Sequence, residues 1–168
     1  MIPLEALREN VFRLLARDWM LITAGKGTRF NTMTASWGGF GVLWNRPLAI
    51  VFVRPTRYTF EFLEQTPRFT LSFLEHRRYR RALTICGTKS GRELDKVKAA
   101  GITPVGFGPN AIAFAEARMV FICRKLYWQD LEPGHFLVPT LARFYPEYDY
   151  HRMYFGAVVK CLRRDASR

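Results

Sequence analysis

Several common catalytic signatures are missing from this sequence of 168 residues. It contains no phosphate loop of the NTPase kind, no Gly-x-Gly-x-x-Gly, no histidine pair at helical spacing and no Gly-x-Ser-x-Gly elbow. Histidine itself is scarce, with only His76, His135 and His151. If the protein is an enzyme, we therefore expect a bound cofactor to carry the chemistry, with no catalytic side chain and no metal site.

Long apolar runs are also missing. No run approaches the length of a membrane span, and charges interrupt the apolar positions of the N-terminal MIPLEALRENVFRLLAR. We therefore expect no secretory signal and a cytoplasmic protein. Cys86, Cys123 and Cys161 are widely spaced and odd in number, which favours reduced thiols in or near the core over a disulfide framework or a zinc site.

Acidic residues are few, since 14 Asp and Glu face 26 Lys and Arg, which gives a net charge of +12. Such a surface attracts nucleic acid, acidic membranes, acidic proteins and phosphorylated cofactors alike, so the charge does not choose among them. The densest cluster is HRRYRR at residues 76–81, and a basic tail covers about residues 161–168. Both are interpreted first as solvated surface.

The composition that remains is ample for one folded domain over residues 1–168, because 49% of the residues are hydrophobic and 15% are aromatic. Apolar residues at helical spacing predict an N-terminal amphipathic helix over about residues 3–17. These residues are Leu4, Leu7, Val11, Leu14 and Leu15.

Strand patterns dominate the rest of the chain. WMLITAG, RFNTMTASW, LAIVFVR and RFTLSFL are short, rich in β-branched and aromatic residues and separated by Gly, Pro or Asn. Two longer strands are predicted in EARMVFICRKLYWQDL and YHRMYFGAVVKCLRR. With no internal repeat and no second core, we predict a mainly β, antiparallel domain with flanking helices, and a barrel is favoured because it removes sheet edges.

Helices are predicted in PTRYTFEFLEQTP and in YRRALTICGTKSGRELDKVKAAG. The second stretch is interpreted as two helices interrupted between Gly87 and Gly91. Ser90 is the predicted N-cap of the later helix, with Glu93 at the capping-box position.

Three segments carry polar groups where the chain turns: residues 31–37, 54–59 and 86–96. In the first, alternation on a strand places Thr32, Thr34 and Ser36 on one face. That hydroxyl row is explained equally well by the wet face of an edge strand. The other two segments suit a phosphate at a helix start, although such a pattern is ordinary helix capping far more often than an anion site.

The order NTMTASWGG, VFVRPTRYTFEFLE, FTLSF, CGTKSGRELDK and DYHRMYFGAVV resembles the flavin reductase-like proteins that bind FMN in a split β-barrel, a group that includes the flavoredoxins. The resemblance runs from about Trp19 to Lys160. It implies a Greek-key split barrel, FMN as cofactor, NAD(P)H as electron donor and a homodimer with flavin sites near the subunit interface.

The resemblance also implies site residues. The first segment would line the edge of the isoalloxazine, and the other two would hold the phosphate and ribityl chain. The cofactor-binding residues are then Asn31, Thr32, Met33, Thr34, Ala35, Ser36, Trp37, Arg54, Pro55, Arg57, Tyr58, Thr59, Cys86, Gly87, Lys89, Ser90, Gly91, Asp95 and Lys96. His151 is placed on the nicotinamide side, and the alternative is a strand-end histidine bonded to Asp149 or to backbone.

The function that follows is hydride transfer from NAD(P)H to flavin, with electrons passed to a partner protein or released as reduced flavin. Two alternatives stay open. One is a basic β-barrel that binds nucleic acid, and the separation of aromatic and arginine residues argues against it. The other is a flavin carrier or sensor without turnover. The sequence does not distinguish NADH from NADPH. No membrane partner is expected.

Overall fold

Seven strands form one antiparallel sheet in this computed structural model, which describes residues 2–164. The strands are β1 (Met20–Lys26), β2 (Arg29–Ala35), β3 (Gly38–Leu43), β4 (Arg46–Val53), β5 (Arg68–Leu74), β8 (Ala117–Asp130) and β9 (Arg152–Arg163). A small hairpin of β6 (Pro104–Gly106) and β7 (Ile112–Phe114) forms a second sheet. The prediction of a mainly β, antiparallel fold is confirmed.

The strand order is β2-β1-β5-β8-β9-β4-β3, so β2 and β3 lie at opposite ends of the sheet. Only Ser36 and Trp37 separate them along the chain. Two residues can join opposite edges only if the sheet curls round until the edges approach each other. The sheet is therefore a barrel that stays split between β2 and β3.

The hydrophobic core consists of two clusters, because successive side chains of a strand point to opposite faces of the sheet. Met20 and Ile22 of β1 face the barrel interior, whereas Leu21 faces a second cluster that packs under the helices. Because both of its faces are covered, β1 is buried from Met20 to Gly25. The layer of helices over the outer face of β1 and β2 is the feature that positions the site described below.

Three helices accompany the sheet: α2 (Tyr58–Gln65), α3 (His76–Thr88) and α4 (Lys96–Ala100). The predicted interruption between two helices is present, but Gly87 lies inside α3. Ser90 as N-cap of α4 is wrong, because the carboxylate of Asp95 accepts from the backbone N–H of Lys98 instead. The Ser90 hydroxyl accepts from Arg92 N within the preceding turn.

The prediction of one continuous N-terminal helix is also wrong. A 3-10 turn at Leu4–Ala6 is followed by extended chain, a short helix α1 (Val11–Arg13) and a π-helical turn at Leu14–Asp18. Asn10 caps α1 by accepting from Arg13 N. The apolar residues at the start of the chain pack against the barrel without a continuous α-helix, since Leu4 contacts its core from the 3-10 turn and Leu7 from extended backbone.

Cys86, Cys123 and Cys161 are buried and free, which confirms the prediction of reduced core thiols. Burial raises the pKa of Cys86 and of Cys161 to about 11. Within residues 2–164, no helix is long and apolar enough to cross a membrane. The predicted basic tail begins inside β9, and its residues 165–168 lie outside the described residues.

Candidate functional site

A cavity of about 380 Å³ lies between β2, the end of β4 and α3, and we call it the β2–α3 cavity. Its volume is at the small end of the range of ligand pockets. Its lining residues are Trp19, Met33, Thr34, Ala35, Ser36, Trp37, Phe52, Arg54, Arg57, Leu83, Thr84, Gly87, Thr88 and His151.

The hydroxyl row of β2 is not a wet face, although β2 is an edge strand. Thr32 is buried and shares a hydrogen bond of 2.9 Å with the hydroxyl of Thr23. Thr34 Oγ1 donates to the backbone oxygen of Leu83 at 2.6 Å. Thr34 therefore joins β2 to α3, whereas Thr32 joins β2 to β1, and Thr34 and Ser36 also border the cavity.

Gly87 sets how closely α3 approaches β2. A Cβ at this position would lie 3.3 Å from Cβ of Thr34, which is tighter than ordinary contact. The missing side chain therefore lets the last turn of α3 lie against the strand. It also keeps the floor of the cavity open beside Thr34 and Thr88.

Two arginines provide the positive charge of the β2–α3 cavity. Arg57, the residue before α2, donates from Nη1 to the backbone oxygen of Gly87 at 2.8 Å. Arg54 donates to Asp149 at 2.5 Å and to the backbone oxygen of Phe144 at 2.6 Å. Both guanidinium groups keep further N–H donors, because each has five. The hydrogen bond from Arg54 lowers the pKa of Asp149.

His151 stands in an aromatic wall of the cavity. Its ring centroid is 5.2 Å from that of Trp37, and its Nδ1 is hydrogen-bonded to the hydroxyl of Tyr145 at 2.9 Å. The bonded partner is thus neither Asp149 nor backbone. Burial, and then the charge of Arg54, lower the pKa of His151 to about 4, so the imidazole is neutral at physiological pH.

The next residue, Arg152, faces away from the cavity. It makes hydrogen bonds of 2.7 and 2.8 Å to the two carboxylate oxygens of Asp130 and lies 3.6 Å from the ring centroid of Trp128. The alternation of a strand therefore leaves His151, and not Arg152, as the cavity residue at the start of β9.

Trp19 also lines the β2–α3 cavity, and its backbone is strained. Its φ of 59° and ψ of 165° fall in a region that is essentially reserved for glycine and costs about 1–3 kcal/mol. The indole lies edge-on to the imidazole of His76, with ring centroids 5.0 Å apart. The fold thus holds this lining side chain in place against the local backbone preference.

The structure divides the residues predicted for the cofactor into two groups. Nine of the residues named from the sequence line the β2–α3 cavity: Met33, Thr34, Ala35, Ser36, Trp37, Arg54, Arg57, Gly87 and His151. A second group borders a separate cavity of about 700 Å³, the Lys96 cavity: Asn31, Thr32, Tyr58, Gly91, Asp95 and Lys96. Pro55, Thr59, Cys86, Lys89 and Ser90 line neither cavity.

The second group holds the fold together behind β2. Buried Lys96 donates to the backbone oxygens of Thr32 at 2.9 Å and of Cys86 at 3.0 Å. Burial lowers the pKa of Lys96. Asn31 Nδ2 donates to the hydroxyl of Thr59 at 2.8 Å. These side chains therefore fasten β2 to α2 and α3.

Five lining residues were missed from the sequence: Trp19, Phe52, Leu83, Thr84 and Thr88. Two signals could have found most of them. Leu83, Thr84, Gly87 and Thr88 share one face of a helix by their spacing. Phe52 lies between Val51 and Val53, so on a strand it must face away from the barrel interior.

The cavity combines flat aromatic surfaces, hydroxyl groups and arginines on adjoining walls, which suits a planar heteroaromatic ligand that carries an anionic group. The sequence profile of the Flavin reductase like domain matches residues 12–168 of this chain. The chain therefore belongs to the flavin reductase-like family, as the sequence resemblance predicts. No protein among the curated sequences matches it.

Solved structures with the same fold include three that are informative. The FMN-binding protein of Thermus thermophilus with bound p-hydroxybenzaldehyde is 19% identical, with 99% of this chain and 82% of that chain covered and a TM-score of 0.69. The flavoredoxin of Desulfovibrio vulgaris (Miyazaki F) is 22% identical, with 98% and 77% covered and a TM-score of 0.68.

The third is the NADH:FAD oxidoreductase of Streptomyces globisporus C-1027, which is 20% identical, with 88% and 76% covered and a TM-score of 0.63. At these identities the likeness establishes the fold alone. That fold is the split barrel, and the predicted fold class is confirmed.

Proposed function

We propose that this protein binds FMN in the β2–α3 cavity and oxidises NAD(P)H with it. The observation that carries the proposal is the meeting of the β2 hydroxyls, an aromatic wall and Arg57 around one cavity. Membership of the flavin reductase-like family supports it. The names of two relatives of the same fold, an FMN-binding protein and an NADH:FAD oxidoreductase, support it further.

In this proposal, the backbone of β2 with Thr34 and Ser36 holds the edge of the flavin ring. Arg57 holds the phosphate, because its guanidinium makes one hydrogen bond within residues 2–164 and keeps four further N–H donors. Bound FMN would supply the redox chemistry by accepting a hydride from the nicotinamide. The chain itself needs only to position rings and balance charge.

His151 and Trp37 would form the face on which the nicotinamide is positioned. The imidazole is neutral, and its Nδ1 is already bonded to Tyr145, so Nε2 is the nitrogen left to contact the donor. A neutral imidazole in this place adds no charge that would oppose the hydride donor. His151 therefore acts as a positioning group and not as a general acid.

The proposal extends to a homodimer that passes electrons to a partner protein or releases reduced flavin. Exposed apolar side chains at the rim of the cavity support an interface there: Trp37 and Phe144 lie with ring centroids 5.6 Å apart, and Leu137 is 94% exposed nearby in the chain. Light scattering after size exclusion gives the mass and tests the dimer.

The test of the function is a flavin titration of the purified protein, followed by anaerobic mixing of the loaded protein with NADH or NADPH. We expect FMN to bind and its oxidised absorbance to bleach with at least one donor. Riboflavin should bind more weakly than FMN because it lacks the phosphate. The variant Arg57→Ala should weaken the binding of FMN. Arg46→Ala is its matched control, since Arg46 is exposed at the start of β4 and does not line the cavity.

Other outcomes would replace the proposal. FMN that binds but stays oxidised with both donors would indicate a carrier or sensor. A protein that binds no flavin but shifts DNA, with a steep dependence on salt, would indicate the nucleic-acid alternative.

A further inference from the structure

A third cavity, of about 1000 Å³, lies where the N-terminal segment meets the start of α3 and the start of β8. We call it the arginine cavity. Its lining residues are Arg8, Glu9, Asn10, Arg13, Arg17, Asp18, Glu75, His76, Arg77 and Arg118. None of them belongs to the β2–α3 cavity, and the proposed flavin site does not use them.

The carboxylates of the arginine cavity are already engaged. Asp18 pairs with Arg118 at 2.8 Å, and Glu9 pairs with the same arginine at 3.4 Å. Glu75 caps α3 by accepting from the backbone N–H groups of Arg77 and Arg78 at 3.1 and 2.9 Å. Each of these three carboxylates thus has a partner within the fold, and within residues 2–164 none of them forms an ion pair with another arginine of the cavity.

Four arginines of the same cavity are exposed, and within residues 2–164 no carboxylate lies within ion-pair distance of their guanidinium groups. They are Arg8, Arg13, Arg17 and Arg77. A guanidinium presents a planar fork of donors that matches phosphate oxygens. A concave surface with four such groups therefore has the donor set of a phosphate site.

The arginine cavity and the β2–α3 cavity are separated by a thin wall. Asp18 and His76 line the first, and Trp19 lines the second. The imidazole of His76 is hydrogen-bonded through Nδ1 to the backbone oxygen of Asp18 at 3.3 Å and touches the indole of Trp19 edge-on. The contact between His76 and Trp19 therefore lies at the boundary between the two cavities.

We propose that the arginine cavity binds the adenosine 2′-phosphate of NADPH, and that this protein prefers NADPH to NADH. The proposal deepens the function above and rests on it for the identity of the donor. A 2′-phosphate is the chemical difference between the two donors, and arginine is the side chain that commonly accommodates it. The nicotinamide end would then cross Trp19 to reach the β2–α3 cavity.

A continuous nucleic-acid backbone suits this cavity less well. Glu9, Asp18 and Glu75 lie among the arginines and would repel a chain of phosphates that runs past all of them. One phosphate group needs only the free guanidinium groups. The recognised chemistry is therefore a phosphate monoester on a nucleoside.

The test is calorimetric binding of adenosine 2′,5′-bisphosphate and of 5′-AMP to the purified full chain, which needs no redox readout. We expect the bisphosphate to bind more tightly than 5′-AMP. The double variant Arg13→Gln/Arg17→Gln should weaken bisphosphate binding about tenfold or more. The double variant Arg46→Gln/Arg124→Gln removes the same charge from exposed positions outside the cavity and should leave binding unchanged.

Equal binding of the two nucleotides, or equal losses in the two double variants, would overturn the proposal. So would a loss of DNA binding in Arg13→Gln/Arg17→Gln without a loss of bisphosphate binding. The flavin titration tests the proposed function separately, because the protein would bind no FMN if that function were wrong. If FMN binds and is bleached equally by NADH and NADPH, the function stands and the NADPH site is wrong.

Discussion

The β2–α3 cavity and the arginine cavity are both polar, but they differ in how their polar groups are paired. In the first, Thr34, Arg57 and Arg54 each donate to a backbone oxygen, so the protein fixes their positions. In the second, exposed arginines such as Arg13 and Arg17 make no ion pair with another residue within 2–164.

The difference separates two kinds of recognition. Groups held by the backbone are preorganised and can orient a rigid ring, whereas solvated arginines can gather a phosphate over a range of positions. A substitution in the β2–α3 cavity should therefore change stability as well as binding. A substitution of an exposed, unpaired arginine of the arginine cavity should change binding alone.

The largest expected effect is on the free energy of unfolding and comes from His151. It tests whether the polar groups of the β2–α3 cavity are held inside the fold. Its pKa is about 4 in the folded protein, against about 6.5 when unfolded. The unfolded chain therefore binds the extra proton between these values, and stability falls as pH decreases through that window. We expect the free energy of unfolding to lose about 2–3 kcal/mol from this group between pH 7 and pH 4.5.

Urea denaturation at the two pH values measures that loss, and His151→Asn should reduce it by the same amount. Arg54, Arg57, Asp149 and Tyr145 are the charged or titratable groups around His151, and they are unchanged in the variant. His135→Asn serves as the control, because His135 is exposed. A pH dependence identical in wild type and His151→Asn would show that the imidazole is not buried in its neutral form.

The next effect distinguishes the two arginines of the β2–α3 cavity. Charge-assisted hydrogen bonds contribute roughly 1.5–3 kcal/mol, so Arg57→Ala should weaken FMN binding about tenfold to a hundredfold and riboflavin binding much less. Arg54 instead fastens Asp149 and Phe144 to the end of β4. Arg54→Ala should therefore weaken both ligands alike. Fluorescence titration with each flavin measures the ratio, and equal losses in Arg57→Ala would remove Arg57 from the phosphate.

A smaller effect is expected at Thr34, whose hydroxyl joins β2 to α3. Thr34→Val keeps the shape but leaves the Leu83 oxygen without this donor, which costs about 1 kcal/mol. The melting temperature should fall by about 2–4 °C. Thr34→Ser keeps the hydroxyl and should recover most of the loss. A loss of FMN affinity without a change in melting temperature would make the hydroxyl a ligand contact instead.

Much of the barrel could be predicted from local pattern, because strands such as β4 and β5 combine β-branched residues with clear turn signals at their ends. β3 was missed because its sequence, GGFGVL, has three glycines and weak strand propensity. Its strand conformation comes from pairing with β4, which is a tertiary effect.

The site was predictable only in part for a related reason. The order of the motifs placed residues 33–37 and Arg57 at one cavity, but it did not show that Asn31 and Thr32 border another cavity or that Lys96 fastens β2 from behind. Which side of a strand a distant lysine reaches depends on how α4 packs, and spacing does not contain that information. The arginine cavity was hidden for the same reason, since Arg8 and Arg77 meet only in the folded chain.

The smallest expected effect is at Arg17 and tests whether the arginine cavity binds through solvated side chains. Arg17 is exposed and unpaired among residues 2–164, so Arg17→Gln should leave the melting temperature unchanged, as is usual for surface substitutions. It should weaken adenosine 2′,5′-bisphosphate binding a few-fold at low salt, and the difference should shrink at about 1 M salt because ions screen exposed charges within about 3 Å. The same salt series on Arg57→Ala should retain most of its effect on FMN, since Arg57 is half-buried and fixed by Gly87. If salt removed both effects equally, the two cavities would not differ in the way their charges are held.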